Sequence, residues 1–89
     1  MTTLAFSTTT SRPALSQHDL IELLNWELAA YDECRGCHFS SIRRMRDRDD
    51  SGCNWLDARV QSDHHLGVEE HFIVRHVIQE TRRQYDLAL

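Results

Sequence analysis

Residues 37–62 read CHFSSIRRMRDRDDSGCNWLDARVQS, and their reading decides the fold. The segments on either side carry apolar residues at three- and four-residue steps; this one does not. Residues 54–60 alternate instead, with Leu56, Ala58 and Val60 on one face and Trp55, Asp57 and Arg59 on the other. Residues 38–45 set Phe39, Ile42 and Met45 among Ser and Arg, a poorer alternation of the kind a β-bulge leaves. Residues 47–52 are a polar cluster rich in turn formers. Two strands joined by that loop predict an antiparallel hairpin.

On the N-terminal side, Ser16 stands where a helix cap is needed, with Asp19 three residues on and Leu15 placed to staple onto Leu20. Leu20, Ile21, Leu24, Leu28 and Tyr31 then form one apolar stripe, widened by Leu23, Trp26 and Ala30. This helix is expected to end near residues 32–34, with Gly36 as its stop. On the C-terminal side the helical period returns from about His64, and Leu66, Ile73, Val74, Val77, Ile78 and Tyr85 share a face with Thr81 between them. Glu70 lies inside that stripe and needs a partner or an edge position, because a lone buried carboxylate is costly. Val68 and Phe72 fall on the opposite side and make a second apolar patch.

The expected architecture is a small α+β domain of order α-β-β-α, with two helices packed on an antiparallel two-stranded hairpin. Residues 1–14, rich in Thr and Ser, read as a disordered tail, and residues 15–89 as a single domain. Two helices on one two-stranded ribbon make a thin core, which dimerisation or a metal would reinforce.

Composition narrows the function classes. At 89 residues, 40% hydrophobic and 27% charged, the chain suits one globular domain, and no apolar run approaches the length of a membrane span. A net charge of −4 speaks against broad attraction to nucleic acid or anionic lipid. The run Arg43, Arg44, Arg46 and Arg48 is offset by Asp47, Asp49 and Asp50, so it reads as a solvated hairpin edge. The opening MTTLAFSTTTSRPA has no basic start followed by an apolar stretch, so a cytoplasmic location is expected. Three cysteines in such a chain favour free thiols or metal over a disulfide framework.

Residues 34–38, CRGCH, carry the strongest chemical signal. The pattern attaches c-type haem, with His38 as the iron ligand, but the hairpin that follows is unlike a haem-wrapping segment. Cys34 and Cys37 also have zinc-knuckle spacing, and Cys53 with His64 would complete a closed structural site. His38, His65 and His71 are alternative sources of the fourth ligand. A redox pair is disfavoured at a helix C-terminus, where the dipole opposes a thiolate. Burial of the cysteines as small hydrophobes is the plain alternative. Asp47, Asp49, Ser51 and Gly52 open like a calcium loop, yet its twelfth position is Ala58 where a bidentate Glu is required. His64, His65, His71 and His76 do not share one helical face.

The order helix, DECxxC, FSSIR, DDxGCNW, helix, RxYDL resembles a group of small uncharacterised bacterial proteins from about Leu20 to Leu87. The group's pattern places a further Cys soon after the second strand, where this chain has Ser62, so His64 or His65 would take that ligand's place. The resemblance implies the fold and no activity. Taken together, the sequence points to a non-enzymatic interaction module, with zinc as the cofactor to test and haem as the alternative. Its partner is another protein or a second copy, met through Trp55, Val68 and Phe72.

Overall fold

The computed structural model describes residues 12–50 and 52–88. Its elements are β1 (Ala14–Leu15), α1 (Gln17–Leu28), a 3₁₀ turn (Asp32–Cys34), β2 (Cys37–Arg44), β3 (Trp55–Ser62), α2 (Val68–Gln84) and β4 (Asp86–Leu87). The α+β class and the antiparallel β2–β3 hairpin agree with the sequence reading.

Helix α1 starts as its sequence dictates. The Ser16 hydroxyl accepts the Asp19 N–H at 3.1 Å, and Leu20, Leu24 and Leu28 bury one face. The helix ends at Leu28, earlier than expected. The Ala30 and Tyr31 N–H groups bond to Glu27 O and Leu28 O, which tightens the last turn and stops propagation. Gly36, at φ +87°, then turns the chain into β2, a conformation that glycine adopts without strain. Asn25 fixes α1 to the hairpin: Phe39 N–H donates to Asn25 Oδ1 at 2.7 Å, and Asn25 Nδ2 donates to Phe39 O at 3.2 Å.

The hairpin holds two bulges. In β2 the register slips between Phe39 and Ser41, leaving Ser40 without an opposite residue, as the poor alternation suggested. In β3 Trp55 faces Arg44 and Asp57 faces Arg43, so Leu56 is an extra residue. That second bulge corrects the reading of residues 54–60. It turns Trp55 and Ala58 to the same side, and Trp55 is wholly buried in the core while Leu56 is exposed.

Helix α2 begins at Val68, four residues later than the period suggested, because residues 64–67 form the loop that feeds it. Val74, Val77, Ile78 and Thr81 bury its inner face. The core they join includes Leu20, Leu24, Leu28, Phe39, Trp55 and Leu87. The Trp55 indole N–H is satisfied by Tyr85 O at 3.0 Å.

Of the expected tail, residues 1–11 lie outside the described residues, while Arg12, Pro13 and Ala14 are placed. Strand β1 pairs in parallel with β4, with Asp86 N–H donating to Pro13 O at 2.9 Å and Ala88 N–H to Leu15 O at 2.7 Å. Arg12 reaches the carbonyls of Arg82 and Tyr85 and the buried Asp86 carboxylate, which Arg48 also meets at 2.6 Å. Among the described residues no helix is long and apolar enough to cross a membrane.

Candidate functional site

Three stretches converge at the open end of the hairpin: the 3₁₀ turn with the start of β2, the loop after β3, and the first turn of α2. The pairing Cys37↔Ser62 sets this end, and Cys37 Sγ lies 3.7 Å from Ser62 Oγ. One residue beyond Ser62, Asp63 folds against Gly36 so closely that a Cβ on Gly36 would stand 2.7 Å from Asp63 Oδ1. The positive φ of Gly36 favours glycine at this corner, and a Cβ there would make the exposed Asp63 carboxylate shift.

His64 is held between two carboxylates. Its Nδ1 is 2.7 Å from Asp63 Oδ1 and its Nε2 is 2.5 Å from Glu70 Oε2. The other Glu70 oxygen, Oε1, accepts the Gly67 N–H at 2.7 Å, which caps α2. The partner that Glu70 required is thus double: a helix cap and an imidazole. Hydrogen bonds to Glu70 and then Asp63 raise the His64 pKa above its ordinary value. The hydrogen bond from His64, followed by that from Gly67, holds Glu70 below the ordinary carboxylate range, and His64 lowers Asp63 likewise.

Cys37 Sγ, a ring nitrogen of His64 and a Glu70 oxygen all lie within 4.8 Å of one another. Cys34, at the end of the 3₁₀ turn, is buried. Burial, helped by the charges of Cys37, Glu70 and Glu33, pushes the Cys34 thiol up to about 11. A second gathering of donor groups, His18, Asp19 and Glu22, is exposed along one turn of α1.

The expected ligand set of Cys34, Cys37, Cys53 and His64 is only partly assembled. Cys37 and His64 meet beside Glu70, Cys34 is not among the groups within 4.8 Å of all three, and Cys53 does not join them. It precedes Trp55, at the far end of a ladder that runs from Cys37↔Ser62 to Arg44↔Trp55, roughly 20 Å away at the usual rise per strand residue. There it is wholly buried, its thiol directed at Trp55 O at 3.4 Å and its N–H bonded to Asp49 Oδ1. It packs as a small hydrophobe. Glu70 and Asp63 are the members that sequence reasoning missed; the signal for Glu70 was a carboxylate inside an apolar stripe, three residues after a glycine.

The geometry is poor for haem. Cys37 and His38 are consecutive on β2, where neighbouring side chains point to opposite faces, and His38 is exposed. The adjoining cleft, lined in part by Asn25, Tyr31, Cys34 and His38, measures about 250 Å³.

Of the expected interface residues, Trp55 is a core residue, for the bulge reason given above. Val68 and Phe72 are 74% and 72% exposed, one turn apart on the outer face of α2. Trp26 is similarly exposed on α1. The molecule is thus a small α+β domain with a cysteine–histidine–glutamate corner and an exposed apolar pair on the outer face of α2. No family model, curated protein or solved structure matches the chain.

Proposed function

We propose that this protein is a non-enzymatic interaction module that docks another protein, or a second copy of itself, through the outer face of α2. The observation that carries the reading is the exposure of Val68 and Phe72 on a helix whose inner face is already seated in the core. Leaving a phenylalanine ring in water forgoes about 1.5–3 kcal/mol that a partner surface would recover. The pair sits at i and i+4, the spacing at which two helical side chains present one continuous contact. Glu33 and Glu69 line the adjoining hollow with Val68, giving the apolar pair an acidic rim suited to a partner with basic flanks. A cytoplasmic location belongs to the same reading, and Cys34, Cys37 and Cys53 all being free thiols supports it.

A photoreactive phenylalanine analogue placed at position 72 tests the face. Its adduct with the partner should be competed by excess wild-type chain and not by Phe72→Asp. Sedimentation velocity on the chain alone separates self-association, which Phe72→Asp would abolish, from capture of a different protein. Equal competition by both chains would overturn the reading.

A further inference from the structure

We propose that Cys37, His64 and Glu70, with Cys34 as the fourth ligand, form a tetrahedral site for a structural zinc ion. The inference goes beyond the docking role and rests on a different part of the molecule.

The first argument is convergence. The donors come from β2, the loop after β3 and the first turn of α2, so only the tertiary fold brings them within 4.8 Å of one another. Bond lengths to tetrahedral zinc of about 2.0–2.3 Å place ligand atoms roughly 3.3–3.8 Å apart. His64 Nε2 and Glu70 Oε2, now 2.5 Å apart, need to separate by less than about 1 Å for the ion to replace the proton they share. Cys34 has the CxxC spacing from Cys37 that lets two thiolates grip one ion, but its thiol is outside the 4.8 Å group and has to turn in to complete the tetrahedron.

The donor set then selects the metal. Two sulfurs, an imidazole nitrogen and one carboxylate oxygen suit zinc, whereas magnesium and calcium ask for oxygen throughout. Binding is not a redox step: the two thiol protons and the proton shared by His64 and Glu70 pass to solvent, and two thiolates and one carboxylate face a dication, leaving one net negative charge.

A supporting shell is already in place. Asp63 occupies His64 Nδ1 and so directs Nε2 inwards, the carboxylate–histidine–metal arrangement. Gly67 N–H holds Glu70 Oε1 and leaves Oε2 for the ion. Ser62 Oγ is placed against Cys37 Sγ. Asp63 is therefore a positioning residue that touches no metal.

The test uses the full reduced chain, stripped of metal and titrated with zinc against a chromophoric chelator, and separately with cobalt. The expected result is one ion per chain, a thiolate-to-cobalt charge-transfer band with tetrahedral intensity, and a Tm about 10–20 °C higher at zinc a hundredfold above its Kd. Glu70→Gln keeps an oxygen for Gly67 N–H, so α2 still starts normally, and it should weaken zinc by about 100-fold or more. Asp63→Asn should weaken it by about 10–100-fold with the cobalt spectrum preserved. Cys53→Ala should bind as the wild type does, and circular dichroism of each metal-free variant separates lost ligands from lost fold. Absence of the cobalt band at equimolar metal, or undiminished affinity in folded Glu70→Gln, would overturn the proposal. The titrations read metal stoichiometry and coordination whereas the crosslinking at position 72 reads docking, so either can fail without the other.

Discussion

Trp55 shows how much one residue's direction can decide. The alternation of residues 54–60 groups it with Asp57 and Arg59, yet it fills the centre of the core, its indole bonded to Tyr85 O and its own carbonyl accepting from Arg82 Nε at 2.8 Å. Trp55→Ala should cost about 3–5 kcal/mol, read as a lower urea midpoint, whereas Phe72→Asp on the exposed helix face should stay within about 0.5 kcal/mol of wild type. Gly36→Ala forces a left-handed backbone on a residue with a Cβ and presses that atom into Asp63. A loss of about 1–2 kcal/mol in the same measurement is expected from the backbone alone. Cys53, with no exposed surface, should resist alkylation in the native state and react once the chain is unfolded by denaturant, as mass spectrometry would show.

At the scale of elements, the sequence carried whatever repeats over several residues and concealed what depends on one or two. The stripe Leu20, Leu24, Leu28 and the stripe Val74, Val77, Ile78 have enough turns to be legible, and so does the hairpin between them. The extra residue Leu56 was not legible, because a bulge shifts register without changing composition. Strands β1 and β4, two residues each, are shorter than any period and exist only because the two segments meet. The same logic applies to the cysteine corner: the CxxC spacing was local and visible, while the contribution of Glu70 depended on where α2 starts. Two contacts test these element joints. Asn25→Ala removes both side-chain bonds to the Phe39 backbone and should cost about 1–3 kcal/mol, with α1 exchanging its amides faster than α2. Arg12→Ala takes one of two cations from buried Asp86, and the Asp86 and Ala88 amides, bonded to Pro13 O and Leu15 O, should exchange measurably faster.

Across the whole molecule, the hairpin separates two jobs. One end holds Cys34, Cys37, His64 and Glu70; the other holds Cys53, Trp55 and the loop that Asp49 and Arg82 pin to α2. Glu70 and Phe72 are two residues apart on α2, one turned to the corner and the other to solvent, so an ion at the corner would steady the helix that presents the apolar face.

The parallel pairing of β1 with β4 bears on how the domain would meet force. Tension applied through the two flanking ends draws these strands along their length in opposite directions. The bonds from Asp86 N–H to Pro13 O and from Ala88 N–H to Leu15 O would then be loaded together in shear, not peeled one after the other. A clasp of two residue pairs thus becomes the point at which the domain resists being pulled open.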